Sequence, residues 1–307
     1  MKIKTVLLAA ALIFAGAILF FSYRNYFGSP EAGSNRVSLQ AREKAWQGLK
    51  KDLEKKVARF NGTVGLVVKD LDTGREIDFN KDASIPSASL VKIPIMLSCY
   101  YAAQDGKINL NDPVRLRYAD RVEGSKVLGN KPVGSVFTVE QLLHPMITQS
   151  DNAAANLLIE YVGFDTLNAY FRKMGLRDTN LARKMMDFKE RREGEENYTT
   201  AADMADLLEE LYRKKFLSNE ISDKCLDLLG EQKINDRIPR KLPRDGTFIA
   251  HKTGLERHIC HDVGIVFTNN GDFLICVLVK HQNRFAIPAK RLISDIALLT
   301  YNYYRNL

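Results

Sequence analysis

Several features that would place a chain in a protein class at once are missing from these 307 residues. The chain has no repeat at a fixed period and no low-complexity tract, which argues against solenoid and fibrous architectures. Its four cysteines include no C-x-x-C pair, so neither a redox motif nor a zinc motif of that kind is present. Each cysteine lies in or beside an apolar stretch, where buried free thiols are common. The sequence also allows one disulfide, if the domain lies outside the cytoplasm. The four positions are Cys99, Cys225, Cys260 and Cys276.

Excess positive charge is nearly absent from the body of the chain. The formal net charge is +8, but residues 1–60 hold eleven Lys and Arg against four Asp and Glu, which leaves a net charge of +1 for residues 61–307. A basic folded face for nucleic acid is therefore not indicated. The basic residues 1–60 fit a solvated helix face, or a stem that leans on anionic lipid or wall polymer.

Residues 1–26 stand apart from the rest. Two lysines precede an apolar run over residues 6–21, and an arginine follows it. This pattern predicts a signal sequence or signal anchor, with the domain outside the cytoplasm, in the periplasm or at the cell surface. The small-residue triplet Ala15–Ala17 lies inside the run, which favours an anchor retained through residues 5–22 over a cleaved, secreted form. No cysteine follows the run, which disfavours a lipid anchor.

The remaining pattern has strands at both ends and helices between them. Residues 27–38 are a Gly/Ser/Pro-rich linker, and an amphipathic helix follows. Two strand-like runs come next, three more end the chain before a last helix, and residues 89–245 are mostly helical. For residues 39–307 we predict an α/β (α+β) fold, in which a five-stranded antiparallel sheet is flanked by terminal helices and carries an inserted all-helical lobe. A cleft is expected where lobe meets sheet.

A serine and a lysine stand three places apart in PSASLVK. A helix that begins near Ala88 puts Ser89 and Lys92 one turn apart on one face. Ser89 then lies at a helix N-terminus, where free backbone N–H groups stabilise negative charge. A neutral Lys92 can accept the serine proton if its pKa is lowered. By itself, however, a Ser-x-x-Lys pair also occurs by chance.

Two further polar groups lie downstream. Ser150-Asp151-Asn152 falls at a predicted break between two helices, where it can face a cleft or serve as a helix cap. Thr138 and Gln141 predict a capping box for the first of those helices. Lys252-Thr253-Gly254 ends a strand, and Gly254 would let a ligand approach the backbone.

Histidines crowd this last motif. His251, His258 and His261 lie around it with Cys260, and all four are zinc-ligand types. Their spacing fits no closed zinc motif, so we expect no metal and no cofactor.

The three motifs occur together in the order Ser-x-x-Lys, Ser-Asp-Asn, Lys-Thr-Gly, with the flanks PSASLVK, ITQSDNAAANLL and AHKTG. From about Gly62 to the C-terminus, the chain resembles the class A β-lactamase family of penicillin-recognising serine hydrolases. The predicted order of helices and strands also resembles that family's β-lactamase/transpeptidase-like fold.

The resemblance implies catalytic roles at four positions. Ser89 would be the acylated nucleophile, and Lys92 would be its base or proton relay. Ser150 would pass a proton to the leaving nitrogen. The backbone N–H groups of Ser89 and Leu255 would form the oxyanion hole, which suits a tetrahedral intermediate.

The resemblance also implies five substrate-binding residues. Asn152 would hold both Lys92 and the acylamino group of the substrate. The substrate carboxylate would be bound by Lys252 and Thr253, beside Gly254. Family members often have an arginine after this motif, and here His261 is expected in its place.

One part of the family pattern is missing. Members that destroy β-lactams carry a glutamate after the Ser-Asp-Asn motif, and it activates the water that frees the acyl-enzyme. Counting back from Thr199 without gaps puts Met185 at this position, and methionine cannot act as a base. Asp187 or Glu190 would replace the glutamate in a rearranged loop; otherwise both are surface charges.

Three functions therefore stay open. The first is a serine hydrolase that acylates Ser89 and opens β-lactams, with slow deacylation. The second is a membrane-tethered D,D-peptidase-like enzyme acting on cell-wall peptide, and the third is a penicillin-binding sensor or scaffold that stays acylated. We expect a monomer whose partners are a β-lactam or D-Ala-D-Ala-like substrate and, through its N-terminal segment, a membrane.

Overall fold

The computed structural model describes residues 38–307, so the predicted signal segment and nearly all of the predicted linker lie outside the described residues. Within the described part, the chain forms nine α-helices and nine β-strands. The helices are α1 (Leu39–Ala58), α2 (Lys92–Gln104), α3 (Val139–Thr148), α4 (Asn152–Val162), α5 (Phe164–Lys173), α6 (Phe188–Arg192), α7 (Ala201–Tyr212), α8 (Asn219–Gly230) and α9 (Ile287–Arg305). The strands are β1 (Gly62–Asp70), β2 (Glu76–Phe79), β3 (Ile85–Pro86), β4 (Pro113–Arg115), β5 (Val136–Thr138), β6 (Tyr198–Thr199), β7 (Thr247–Glu256), β8 (Ile259–Thr268) and β9 (Phe273–His281).

Five strands form the predicted antiparallel sheet, in the order β2-β1-β9-β8-β7. The two chain ends meet inside it, because β1 pairs with β9 from Gly62 opposite His281 to Asp70 opposite Phe273. β8 and β9 are buried over most of their length, since both faces of the sheet are covered. β7 is an edge strand, and it carries the Lys-Thr-Gly motif.

Helices α1 and α9 cover one face of the sheet. The apolar stripe predicted for α1 is present, with Trp46, Leu49 and Leu53 buried. Trp46 packs edge-on against Tyr303 of α9, with ring centroids 5.3 Å apart. Full burial of a leucine such as Leu53 stabilises the fold by about 1.5–3 kcal/mol, so this layer holds the two chain ends together.

The other face carries the lobe, with α2 at its centre. Ten of the thirteen residues of α2 are buried, as expected for a helix packed on all sides. We predicted an all-helical lobe, but the lobe also contains two short antiparallel ladders, β3–β6 and β4–β5, which stabilise its loops. In the first ladder Ile85 pairs with Thr199. This pairing ties the entry to the Ser89 segment to the end of the loop that contains Met185.

The four cysteines are buried free thiols, which settles the question that the sequence left open. Among residues 38–307, no helix has both the length and the hydropathy of a bilayer-spanning segment.

Candidate active site

The Ser89 segment lies where the lobe meets the edge of the sheet. Residues Ala88–Val91 form a 3₁₀ turn that leads directly into α2 at Lys92. Ala88 has a left-handed φ of +46°, which is uncommon for a residue with a Cβ atom. Ser87 is fully buried, whereas Ser89 is half-buried. Ser89 is therefore the serine of this segment that a substrate can reach.

Lys92 is fully buried, and its ammonium group contacts the Ser-Asp-Asn motif. Nζ donates to Ser150 O at 2.6 Å, to Asn152 Oδ1 at 2.7 Å and to Ser150 Oγ at 3.3 Å. Burial lowers the pKa of Lys92 to about 7, while the carboxylates of Asp151 and Glu256 oppose that shift. A lysine with this pKa is partly neutral near pH 7 and can accept a proton.

The motif Ser150–Asn152 both caps a helix and supplies the hydrogen-bond partners of Lys92. Asp151 is the cap, because Oδ1 accepts the N–H of Ala154 at 3.0 Å and Oδ2 accepts the N–H groups of Val127 and Leu128 at 2.8 and 3.0 Å. Ser150, with φ of +58°, and Asn152 face Lys92 instead. Asn152 Nδ2 also donates to the Glu123 carbonyl at 2.7 Å, which fixes the amide.

Strand β7 brings a second buried lysine to the same serine. Lys252 Nζ donates to Ser150 Oγ at 2.9 Å, so this hydroxyl lies between two lysine side chains. Burial lowers the pKa of Lys252 well below its ordinary value, and the charges of Lys92 and Arg237 lower it further, while Asp262 raises it. A bound anion would reverse part of this shift, so the site favours a negatively charged ligand.

The end of the motif packs against the Ser89 segment. A Cβ atom on Gly254 would lie 3.3 Å from the Ser87 carbonyl oxygen and 3.1 Å from the His261 ring. Gly254 thus allows β7 to approach the Ser89 turn, and its contact with a ligand stays a prediction. Thr253 beside it is buried, and Leu255, next along the edge strand, is 48% exposed and accessible to a substrate.

His261 is a correction to the expected substrate contacts. The residue is fully buried; its Nε2–H donates to the Pro86 carbonyl at 2.9 Å, and its Nδ1 accepts the N–H of Val279 at 3.0 Å. Both ring nitrogens are therefore used inside the protein, and burial lowers the pKa of His261 to about 4. A neutral ring that braces the segment before Ser89 does not face a substrate carboxylate. The prediction came from the position of the family's arginine, and it gave the wrong surroundings for this side chain.

The loop that follows α5 brings Met185 to the helix of the Ser-Asp-Asn motif. Asn156, one turn after Asn152 on α4, accepts the Met185 N–H at 2.7 Å and donates to the Met185 carbonyl at 3.0 Å. The Met185 side chain is buried in the apolar core of the lobe. Next to it, Met186 has a left-handed φ of +65°. The loop thus presents an apolar side chain at the predicted position of the missing glutamate.

The two candidate replacement bases have other surroundings. Asp187 caps α6, since Oδ1 accepts the N–H groups of Lys189 and Glu190, each at 3.2 Å. Among residues 38–307, neither the Asp187 nor the Glu190 side chain hydrogen-bonds to Ser89, Lys92 or Asn152. The structure therefore does not bring a carboxylate from this part of the loop into contact with the motif residues.

An ion-pair network, which we call the loop clamp, joins the same loop to the end of β7. It consists of Arg183, Arg191, Glu196 and Glu256. The buried Arg183 contacts Glu196 at 2.7 Å and Glu256 at 3.3 Å. Arg191 contacts the same two carboxylates at 2.9 and 3.0 Å. The clamp holds the loop against the strand that carries Leu255.

Arg237 is a site residue that the motifs did not indicate. It is 1% exposed, and its Nε donates to Cys260 Sγ at 3.3 Å. Within residues 38–307, its buried Nη1 makes no hydrogen bond of good geometry, although Asp236 Oδ1 lies 3.1 Å away. The bond from Arg237 to Cys260, which pairs with Leu255 of β7, places the guanidinium against the strand pair that carries the Lys-Thr-Gly motif. Its charge contributes to the lowered pKa of Lys252. It comes from an irregular charged stretch with no periodic pattern, so only its position in space relates it to β7.

The fold and this arrangement of a reachable serine, two buried lysines and a second serine define a serine hydrolase of the β-lactamase type. The chain belongs to the family described as "Beta-lactamase enzyme family", whose model matches residues 48–304. This membership confirms the resemblance to class A β-lactamases.

Individual relatives agree with this family. Beta-lactamase VEB-1 of Pseudomonas aeruginosa is 25% identical over 260 residues, which span 80% of this chain and 87% of the relative. The crystal structure of a β-lactamase from Sphaerobacter thermophilus DSM 20745 has a TM-score of 0.77 and 32% identity, covering 85% of this chain and 98% of that one. A PBP-A variant in acyl-enzyme complex with penicillin G has a TM-score of 0.77 and 26% identity, covering 85% and 97%.

Proposed function

We propose that this enzyme is acylated at Ser89 by β-lactams and that it releases the acyl group slowly. The observation that carries the proposal is the position of Ser150 Oγ between Lys92 and Lys252, next to the turn that presents Ser89. This arrangement supplies a proton acceptor, a proton relay and a cationic surface within one cleft. The PBP-A variant that holds penicillin G as an acyl-enzyme supports the same class of substrate.

Acylation would begin with proton transfer from Ser89 to Lys92. A pKa of about 7 leaves part of the Lys92 population neutral and able to accept that proton. Ser89 Oγ then bonds to the lactam carbonyl carbon, and the N–H groups of Ser89 and Leu255 stabilise the oxyanion. The ring C–N bond breaks, the nitrogen takes a proton from Ser150, and Lys92 returns one to Ser150. The product is an ester on Ser89.

Substrate orientation would come from both ends of the cleft. Asn152, fixed by Lys92 and by the Glu123 carbonyl, would bind the acylamino group. Lys252, Thr253 and Arg237 would bind the carboxylate. Lys92, Lys252 and Arg237 are all buried, and a substrate anion would offset part of the positive charge that burial makes unfavourable there.

Slow release follows from the loop. Hydrolysis of the ester needs a water and a base near Ser89, and the resemblance gives the position of that base to Met185, whose backbone Asn156 holds. Loss of a general base typically slows a step by about 10²–10⁴-fold. Acylation does not use this residue, so it would stay fast while deacylation becomes limiting.

Mass spectrometry of the full-length protein mixed with benzylpenicillin tests the proposal. We expect an adduct on the Ser89 peptide and a burst of one product equivalent per protein, followed by slow turnover. The absence of any adduct would refute acylation. Steady rapid turnover without a burst would refute slow release.

A D,D-peptidase-like activity on cell-wall peptide is the second candidate, and the apolar Met185 favours it over efficient β-lactam hydrolysis. Release of D-alanine from a peptide ending in D-Ala-D-Ala would identify it. A stable penicillin adduct with no D-alanine release would instead indicate the sensor or scaffold function.

We also propose that residues 1–26 place the domain outside the cytoplasm. The support is the apolar run over residues 6–21 after two lysines. Alkaline phosphatase fused after residue 60 should be active, because that enzyme needs export to fold. A stable but inactive fusion would contradict the proposal.

A further inference from the structure

A buried histidine–aspartate pair lies behind the cationic end of the cleft, and the proposed acylation steps do not use it. His251 is 1% exposed and Asp262 is fully buried. His251 Nδ1 donates to Asp262 Oδ1 at 2.9 Å, and its Nε2 lies 3.1 Å from Asn235 Oδ1. The second oxygen of Asp262 accepts the N–H of Ile238 at 2.9 Å. The pair therefore ties β7 and β8 to both ends of the segment 235–238.

That segment carries Arg237. Among residues 38–307, the carboxylate that pairs with the Arg237 guanidinium is its neighbour Asp236, which is 41% exposed and lies 3.1 Å from Nη1. The remaining side-chain contact is weak, from Nε to the Cys260 sulfur at 3.3 Å. Because few side-chain bonds orient the guanidinium, its place beside Lys252 depends on how the backbone of 235–238 is held.

We propose that His251 and Asp262 are positioning residues, which hold Arg237 beside Lys252 so that both cations meet the carboxylate of the substrate. The inference rests on the proposed function, since it concerns the carboxylate end of the same cleft. His251 spans from β7 to the segment, and Asp262 supplies the buried negative charge that lets Lys252 and Arg237 share a desolvated site. The preference of the enzyme for carboxylate-bearing substrates is thus set by residues that never touch the substrate.

This proposal differs measurably from a merely structural function of the pair. A structural function predicts that loss of His251 weakens all reactions together with stability. A positioning function predicts weaker binding of substrates with a free carboxylate, an unchanged acylation rate constant, and no added effect on a substrate whose carboxylate is masked.

The experiment compares benzylpenicillin with its methyl ester on the full-length enzyme. For each substrate, the dissociation constant and the limiting acylation rate constant are measured separately. In His251→Ala we expect the preference for the acid over the ester to fall by about 10- to 100-fold, through the dissociation constant. His251→Gln, which keeps a donor for Asp262, should recover part of the loss. Ser294→Ala removes a buried hydroxyl of α9 and serves as the control for stability alone.

Nuclear magnetic resonance gives a readout that does not depend on acylation. Solvent exchange of the Arg237 Nε–H should become at least about tenfold faster in His251→Ala, since the segment that carries it is released. Unchanged exchange, or equal losses for acid and ester, would overturn the proposal. If the wild-type enzyme shows no adduct with either substrate, the proposed function fails, and the exchange measurement still decides the positioning function.

Discussion

Two regions of the candidate site, which we call the motif wall and the loop wall, differ in how their polar groups are used. On the wall formed by the motif residues, Lys92, Ser150, Asn152 and Lys252 hydrogen-bond to one another. On the wall formed by the loop at residues 177–200, Met185 is buried in the core, and the nearby carboxylates serve a helix cap and the loop clamp. The contrast is the basis of our proposal that acylation and hydrolysis are separable in this fold.

The physical reason is that removing a side chain has a different energetic cost in the two regions. A buried charge that loses its partner costs several kcal/mol, because the remaining group stays desolvated. The motif residues are coupled in this way, so they must be kept together. The loop wall has no such coupling at residue 185, where the apolar Met185 side chain adds to the core of the lobe.

The most severe way to break the comparison is to remove the serine. Ser89→Ala should abolish labelling by a fluorescent penicillin, because no other hydroxyl in the turn is reachable. Ser87→Ala is the matched control, since Ser87 is buried, and it should keep its label. Labelling of Ser89→Ala, detected by gel fluorescence, would show that another residue is acylated.

Removal of the proton acceptor should have the next largest effect. Lys92→Ala should slow acylation by about 10²–10⁴-fold. In the wild-type enzyme, acylation should rise as the pH rises through about 7, because the lowered pKa of Lys92 means that its neutral, proton-accepting form exists above that value. Stopped-flow measurement of acylation against pH checks both points. A flat profile through this range would rule out Lys92 as the base.

A base introduced into the loop wall should have the opposite effect and speed up a reaction step, the release of the acyl group. Met185→Glu should speed deacylation by up to about 100-fold, the lower end of a general-base contribution, because burial of the new carboxylate has a cost. Met185→Gln keeps the size without the basicity and should stay slow. The lifetime of the penicillin adduct, followed by mass spectrometry, is the measurement. Equal lifetimes in both variants would mean that the loop does not limit release.

The smallest effect on stability and activity is expected at the loop clamp, which joins the loop to β7. Glu256→Gln weakens the loop clamp and should lower the free energy of unfolding by about 1 kcal/mol, since Arg183 and Arg191 keep Glu196. Glu256 also raises the pKa of Lys92, so its loss should move the acylation profile to lower pH. Glu209→Gln, which loses pairs with Lys69 and Arg213, is the control. A shift of the profile in the control, or none in Glu256→Gln, would contradict this coupling.

Local features were predicted well from the sequence because their causes are local. The capping box is present, with Thr138 Oγ1 accepting the Gln141 N–H at 3.1 Å and Gln141 Oε1 accepting the Thr138 N–H at 2.9 Å. The predicted helix after the Ser-Asp-Asn motif is also present, and it ends at Val162, directly before Gly163. Capping and turn formation involve groups only three or four residues apart, so a short stretch contains the information.

The direction and environment of individual side chains were harder to predict. His261 was expected to face the substrate, yet it lies under the Ser89 segment and bonds to Pro86. The histidines considered for zinc contact different partners, with His251 on Asp262 and His258 beside Arg257. Residue type alone does not tell which side of a strand, or which distant segment, a side chain will meet.

The sequence by itself determined the order of strands and helices, the family and the residues of the three motifs, because these depend on periodicity and on short spacings. The tertiary structure decided which charges share the cleft. Burial of Lys92 lowers its pKa to about 7, and the charge of Arg237 contributes to the lowered pKa of Lys252. His251 and Asp262 bond to each other and to the segment that carries Arg237. Burial and long-range electrostatics arise from residues far apart in the chain, so they exist only once the lobe has packed against the sheet.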